Sequence, residues 1–253
     1  MKFFNFLRTY AGAGFIYFAS FCSIASLVLF FINNELACIF ALCFFCLGLL
    51  ILLIGILRGI NKMINDNSEE EYKRIATFYS FQSSDGVTAT YEMFRMIQSK
   101  RLFLSDIPYN FKWDGPHIPQ ISSESQTITG KKSNSDKNKW DEATIRFRQP
   151  LKYNECSVVN VKCYFDDYDQ IPQAHVTSKL DAPIDVITFR VLLTYKPDGY
   201  NVAATLKRKK IKAEIERDYE IMNSVPFDTH HKLYFYCLFD PEPGYYYKLE
   251  WNK

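Results

Sequence analysis

Two long apolar runs near the N-terminus constrain this chain more than any other feature. They cover Ala11–Ile32 and Leu36–Leu57, contain 22 residues each and carry no charged side chain. A helix of that length measures about 33 Å, enough to cross a hydrocarbon layer of about 30 Å. A signal peptide has a shorter apolar core, which is followed by a cleavage site rather than by a second run. We therefore predict a transmembrane helical hairpin with spans at about 11–32 and 36–57.

The segment between the runs, Asn33, Asn34 and Glu35, is short and polar. Lipid offers no hydrogen-bond partners to the backbone of a turn, so the chain must turn at the membrane surface. Lys2 and Arg8 precede the first run and more basic residues follow the second, whereas the turn has none. Such residues concentrate on the cytoplasmic side. The pattern predicts a multi-pass protein of the inner (plasma) membrane with both termini in the cytoplasm.

The rest of the chain is nearly neutral. Only three charged residues precede Arg58, which leaves 28 of the 30 basic and 27 of the 28 acidic side chains beyond the second run. A long nucleic acid is therefore not the expected partner, because it would favour a strongly basic surface. Three of the seven cysteines lie in this part, an odd number that suits a reducing compartment.

Alternation of apolar and polar residues dominates the chain beyond residue 75. In Val186–Tyr195, Ile187 and Phe189 fall on one face, whereas Thr188 and Arg190 fall on the other. This period of two indicates a strand with one buried face. Strand-like segments occur at residues 86–97, 102–113, 144–148, 157–165, 174–180, 186–195, 202–211, 232–239 and 245–251.

These patterns predict three regions: the hairpin at residues 1–58, a linker at 59–75 and a β-rich cytoplasmic domain at 76–253. About eight strands with few helical stretches favour a small barrel or a β-sandwich, and the sequence leaves both open.

Signatures of catalysis are missing from the sequence. It contains no GxxxxGK[ST], GxSxG or HExxH motif. The adjacent His230 and His231 would point to opposite faces of a strand, which makes them poor joint ligands for a metal. We therefore predict that the chain is not an enzyme and uses neither a metal nor a cofactor.

Two groups of basic residues are candidates for binding an anion. The first is the run Lys207, Arg208, Lys209 and Lys210, which could hold anionic headgroups or a phosphorylated ligand near the membrane. The second is a strand face that bears Arg146 and Arg148, joined by Arg190 from another strand. If that face lined a barrel interior, its charges would need carboxylates or a ligand anion. The alternative for both groups is simple exposure to solvent.

Small residues in the apolar runs suggest helix association. Gly55 and Gly59 form a GxxxG motif at the cytoplasmic end of the second run, and Ala19 and Ser23 form a similar step in the first. Such spacing permits close approach of helix backbones. We expect these residues to support packing of helices in a homo-oligomer.

A short two-helix N-terminal hairpin followed by a β-rich cytoplasmic domain resembles the two-transmembrane, β-strand-rich effectors of bacterial antiphage signalling. Those effectors belong to cyclic-oligonucleotide systems, and the type III CRISPR membrane effectors share the outline. The resemblance implies a β domain that senses a cyclic nucleotide and helices that assemble to disrupt the inner membrane. It rests on architecture, and the β domain here is longer than that family's.

Two functions follow as leading hypotheses, and a membrane-tethered enzyme with a site that no motif marks is a third, weaker one. In the first, the chain is a membrane effector whose β domain binds a small anionic, cyclic-nucleotide-like signal and whose hairpins oligomerise in the lipid bilayer. In the second, the chain is a membrane-tethered β-sandwich that recruits a cytoplasmic protein.

Overall fold

The structure is a computed structural model that describes residues 13–32, 35–66, 70–111, 120–132, 141–166, 173–211 and 219–252. The predicted turn residues Asn33 and Asn34 and the flanking Lys2 and Arg8 lie outside these ranges. The chain divides into two compact units. One comprises residues 1–71 and 100–102, and the other comprises residues 72–99 and 103–253.

The first unit contains two apolar helices, α1 (Ala13–Phe30) and α2 (Glu35–Asp66), which pack against each other. Within α2, Glu35–Ile64 is long and apolar enough to cross a membrane, with 30 residues and a mean hydropathy of 3.1. The described part of α1 contributes a shorter apolar helix, Ser20–Phe30. A long apolar N-terminal helix is thus confirmed, while the second span and the orientation stay predictions.

Small residues bring α1 and α2 together. Cys22 and Ser26 are buried on α1, and Ala37 and Ala41 are buried on α2, each pair about one helical turn apart. Large apolar side chains of both helices are exposed instead. A water-soluble surface rarely carries so many contiguous apolar groups, whereas lipid covers them readily.

Thirteen strands are found in the described part of the second unit. They are β1 (Tyr72–Ser83), β2 (Thr88–Ser99), β3 (Phe103–Phe111), β4 (Gln120–Ser122), β5 (Thr127–Lys132), β6 (Asp141–Lys152), β7 (Cys156–Asp166), β8 (Gln173–Leu180), β9 (Val186–Leu193), β10 (Ala204–Lys210), β11 (Glu220–Val225), β12 (Leu233–Phe239) and β13 (Tyr245–Asn252).

The strands form three sheets. The largest has the order β12-β9-β1-β2-β7-β4, the second β11-β10-β13-β8 and the third β3-β6-β5. Within the described ranges no sheet closes on itself, so the domain is a β-sandwich and not a barrel. In the six-stranded sheet β1 pairs with β9 in parallel, and β12, β2, β7 and β4 each pair with a neighbour in antiparallel fashion.

One apolar core joins the three sheets. Phe189 of the six-stranded sheet, Ile145 of the three-stranded sheet and Leu249 of the four-stranded sheet belong to it, and each is fully buried. Trp251 on β13 packs edge-on against Phe81 on β1 with ring centroids 5.0 Å apart. The two smaller sheets therefore cover the inner face of the six-stranded sheet and leave its outer face open.

A tight turn fixes the register of β1 and β2. Asp85 Oδ1 accepts hydrogen bonds from the backbone N–H groups of Val87 and Thr88 at 2.8 and 2.7 Å. Gly86 has φ +77°, and a Cβ at that position would lie 3.2 Å from the Tyr195 ring. Both its backbone conformation and its surroundings therefore favour glycine.

The core assignment predicts the effect of truncating Phe189, which stacks on Tyr79 with ring centroids 5.6 Å apart. Phe189→Ala should lower the free energy of unfolding by about 3 to 5 kcal/mol, because it leaves a cavity. Chemical denaturation of the full chain in detergent, followed by tryptophan fluorescence, measures this loss. Phe103→Ala is the matched control, since Phe103 is 71% exposed. It should change stability by less than about 0.5 kcal/mol. Equal losses would contradict the core assignment.

Candidate functional site

Arg146 and Arg148 lie on β6, on the outer face of the three-stranded sheet, and both are exposed. Arg146 is paired in register with Asp106 on β3, so an opposite charge lies across from it. Arg148 donates a hydrogen bond to the backbone carbonyl of Glu124 at 3.2 Å. Neither side chain lines an interior, so these arginines do not require a ligand anion for compensation.

Arg190 does not join that pair. It lies on β9, on the outer face of the six-stranded sheet, where it donates a hydrogen bond to Ser80 Oγ at 3.4 Å. The core separates this face from the outer face of the three-stranded sheet. The predicted arrangement of three arginines is therefore wrong, because sequence alone does not show which sheet each strand joins.

The basic run on β10 is divided between two faces. Lys207 lies opposite Lys248 of β13, and both ammonium groups contact the carboxylate of Glu250, at 2.8 Å for Lys248. Burial acts to raise the pKa of the Glu250 carboxyl, but hydrogen bonds from the two lysines outweigh it and hold the pKa below its ordinary 4.5. Lys207 is thus largely neutralised within the chain.

Arg208 points to the other side of the strand. Its Nε and NH2 groups donate to Glu220 at 3.0 and 3.4 Å, and NH1 donates to Glu242 at 3.3 Å. Its guanidinium also lies 4.8 Å from the centre of the Tyr245 ring. These contacts satisfy the charge and most of the donors of Arg208.

Lys209 and Lys210, the last two residues of the run, also lie on opposite faces of β10. The ammonium of Lys209 lies 5.7 Å from the Tyr219 ring centre, and Lys210 is exposed at the end of β10. Successive side chains of a strand point to opposite faces, so four consecutive basic residues do not form one patch.

The predicted helix-packing residues fall in different surroundings. Gly55 and Gly59 are both buried on α2, whereas Ser23 on α1 is exposed. Ala19 lies in α1, but its side chain is outside the described residues. Their role in association between copies stays a prediction.

An arginine that the sequence analysis did not single out points into the sandwich. Arg95 on β2 lies between Met93 and Ile97 on the inner face of the six-stranded sheet, opposite Thr77 of β1. Its Nε is buried and has no hydrogen-bond partner among the described residues. Its strongest electrostatic partners are tyrosines and not carboxylates.

Those partners are four aromatic residues, and with Arg95 they are called the Arg95 cluster here: Tyr72, Tyr79, Tyr91 and Tyr109. Burial raises the pKa of Tyr91 and of Tyr109 well above the ordinary 10. Both phenols are therefore neutral at pH 7 and supply no negative charge. Among the described residues, no carboxylate balances the positive charge of the Arg95 guanidinium.

The Arg95 cluster lies at a seam between sheets. Tyr79 on β1 donates a hydrogen bond to Ser178 Oγ on β8 at 3.0 Å, and Tyr109 comes from β3. β8 is an edge of the four-stranded sheet, and β3 is an edge of the three-stranded sheet. The guanidinium thus lies where the two smaller sheets adjoin over the larger one.

A signal for Arg95 was present in the sequence. In "TYEMFRMIQ", residues 90–98, Arg95 shares its strand face with Tyr91, Met93 and Ile97. A charged residue among inward-facing apolar neighbours is unusual and marks a site to examine. The tyrosines from β1 and β3 gave no such signal, because their proximity depends on the sheet order.

Comparison with known proteins gives no family. No protein-family model matches the sequence, and no curated protein matches it. In the described ranges, no group of three His, Cys, Asp or Glu side chains is arranged to hold a metal ion.

Several solved structures resemble part of the fold. A candidate protease from Parabacteroides distasonis is 8% identical, with a TM-score of 0.43 over 71% of this chain and 40% of its own. An M1 zinc metallopeptidase from Deinococcus radiodurans is 11% identical, with a TM-score of 0.35 over 67% of this chain and 42% of its own. The major pilin RrgB from Streptococcus pneumoniae is 12% identical, with a TM-score of 0.24 over 74% of this chain and 38% of its own. This chain therefore spans well under half the length of each.

These structures correct one prediction. The missing motifs predicted that the chain is not an enzyme, and the protease and the metallopeptidase among the similar structures contradict that prediction. The likeness itself assigns no peptidase activity to this chain, because the identities and TM-scores are low.

The unsatisfied Nε of Arg95 predicts an unusual response to mutation. Arg95→Met keeps a long side chain but removes a half-buried charge whose Nε lacks a partner among the described residues, so the free energy of unfolding should stay constant or rise by up to about 2 kcal/mol. Chemical denaturation of the full chain without ligand measures the change. A loss of more than about 2 kcal/mol would instead mean that Arg95 holds the core together.

Proposed function

We propose that this chain is a membrane-anchored effector whose β domain senses a small anionic signal of the cyclic-nucleotide kind. One observation supports this most directly: Arg95 presents a positive charge at the seam of the β-sandwich, and its Nε has no hydrogen-bond partner and its charge no carboxylate partner among the described residues. The same chain carries a helix suited to cross a membrane. The chain therefore combines a site suited to an anion with a helix suited to a bilayer.

The chemistry of the Arg95 cluster suits a phosphate ester. A guanidinium offers a planar set of N–H donors that matches two oxygens of a phosphate group. Tyrosine hydroxyls add neutral donors, and aromatic rings provide surfaces on which a nucleobase can stack. A ligand that combines phosphates and bases uses both parts of the cluster.

In the proposed arrangement both apolar helices cross the inner membrane and both termini lie in the cytoplasm with the β domain. The basic residues Lys2 and Arg8, which precede the first apolar run, and Arg58, which follows the second, support this orientation. Ligand binding brings several copies together, and their hairpins associate and disrupt the bilayer. In this form the chain acts as an antiphage effector.

A second function has an observation of its own. The outer face of the six-stranded sheet exposes Phe94, Met96, Val158, Phe235 and Phe239. An exposed apolar face of this kind typically binds another protein. It favours the alternative of a membrane-tethered module that recruits a cytoplasmic protein partner.

Ligand binding is testable through thermal stability. A cyclic oligonucleotide at about 100 times its dissociation constant should stabilise the full chain in detergent by about 2.7 kcal/mol. Arg95→Met should abolish the shift in melting temperature for every member of a panel of cyclic di-, tri- and tetranucleotides. Linear dinucleotides and inorganic phosphate distinguish a cyclic ligand from a general anion.

Arg146→Met is the matched control, because it removes the same charge from an exposed position on another sheet. It should leave the shift unchanged. If no member of the panel stabilises the wild-type chain, the recruiting module becomes the better function. A shift that survives in Arg95→Met places the ligand elsewhere.

Membrane disruption should depend on the buried glycines of α2. Gly55→Leu with Gly59→Leu adds bulk, keeps the helix apolar and blocks close backbone approach. We expect loss of ligand-induced dye leakage from liposomes while the ligand-induced melting shift remains. Leu53→Ala with Leu57→Ala is the control, since both side chains are exposed. Unchanged leakage in the glycine variant at equal reconstitution would rule out association through these glycines.

A further inference from the structure

The outer face of the six-stranded sheet has an ordered pattern across its strands. One row, called the apolar row, runs in register from β12 to β7 and contains Phe239, Val186, Ala76, Met96 and Val158. A second, called the charged row, contains Phe235, Arg190, Ser80, Glu92 and Lys162. The two rows lie four residues apart along each strand, so they are separate bands on one face.

Charge in the charged row is incompletely paired. The carboxylate of Glu92 forms an ion pair with the ammonium of Lys162 at 3.0 Å. Arg190 contacts only the hydroxyl of Ser80 in the described residues, at 3.4 Å, and pairs with no carboxylate there. Among the described residues, the row therefore carries one positive charge without a carboxylate partner on β9 and one half-buried carboxylate on β2, on opposite sides of β1.

We propose that a second copy of this chain packs on this face, with a two-fold axis that runs along β1. Such an axis exchanges β9 with β2 and β12 with β7, and stacks the two sheets with aligned strands. Arg190 of one copy then faces the partner's Glu92, and Phe235 faces the partner's Lys162. The apolar rows also face one another.

Other symmetric arrangements fit less well. An axis across the strands places the charged row against the apolar row, which buries charges without partners. An axis between β1 and β2 brings Arg190 against the partner's Lys162, a like-charge contact. The axis along β1 is the one that joins opposite charges and apolar groups at the same time.

The size of the face indicates a weak contact that the membrane strengthens. Five strands about 4.8 Å apart and seven residues of length give a face of about 400 Å² on each copy. The total of about 800 Å² falls below the roughly 1,200 Å² that stable interfaces bury, which is the size of a weak or transient contact. Confinement of anchored chains to one bilayer raises their effective concentration and favours the dimer. The face is distinct from the Arg95 cluster, so this interface stands or falls independently of anion sensing.

Cross-linking in liposomes tests the proposal. Gln82 is exposed on the outer face of β1, so its symmetry mate lies across the axis. Gln82→Cys should form a dimer with a bis-maleimide that spans about 10 Å, the separation of stacked sheets. The wild-type chain measures the background from native cysteines. Absence of cross-linking above that background would overturn the proposal.

Charge exchange identifies the contact. In the Gln82→Cys background, Arg190→Glu and Glu92→Arg should each reduce the cross-linked fraction by about tenfold, because each creates two like-charge contacts. The double exchange should restore it. A mixture of the two single variants should restore it as well, since every contact in the mixed dimer joins opposite charges.

Two further variants complete the test. Arg146→Glu makes the same charge change on the opposite side of the core and should have no effect. Phe239→Lys alters a side chain that is 71% exposed, so it should break the dimer without unfolding the domain. Full cross-linking in Phe239→Lys and in both single exchanges, or an equal loss in Arg146→Glu, would overturn the interface.

Discussion

The inner face of the six-stranded sheet is apolar and must be buried. The way in which the two smaller sheets cover it determines where the seam at Arg95 lies and leaves the outer face uncovered. A three- or four-stranded sheet alone is too narrow to cover the inner face, so two small sheets share the task. Ile145 from one and Leu249 from the other reach the same core. Two covers on one sheet necessarily leave a seam between their edges, and Arg95 lies there. The outer face of the six-stranded sheet stays uncovered because no described strand remains to pack on it.

The surroundings of Arg95 carry an energetic cost. A buried donor without a partner costs about 1 to 3 kcal/mol, while a whole domain is stable by about 5 to 15 kcal/mol. The phenols of Tyr91 and Tyr109 are neutral, because burial raises the pKa of each, so they supply no charge that would offset this cost. A methionine or leucine would pack in the same place without the penalty. A guanidinium at this position is best explained by a task that needs its charge, and binding of an oxyanion is such a task.

Much of the architecture was predictable from local patterns, and the sites were not. Alternation located β6, β9 and β13 because each has one buried and one exposed face. It missed β1, the third strand of the six in the largest sheet, since Phe78, Tyr79 and Phe81 place aromatic residues on both of its faces. The parallel pairing of β1 with β9 joins segments more than 100 residues apart, and no local signal encodes it. For the same reason the basic run looked like a patch in sequence, although Glu250 and Glu220 from other strands neutralise Lys207 and Arg208.

One strand connects the two surfaces that our proposals invoke. On β2, Arg95 points inward to the seam, and Glu92 and Met96 point outward to the open face. A displacement of β2 that improves contact between Arg95 and an anion therefore also moves Glu92 relative to Arg190 of a second copy. Thermodynamic linkage makes such coupling reciprocal, so an anion that strengthens the dimer by some factor is bound more tightly by the dimer by that same factor. If both proposals hold, a strand with one face toward a ligand and the other toward a second copy would couple anion binding to association without a hinge or a separate regulatory domain.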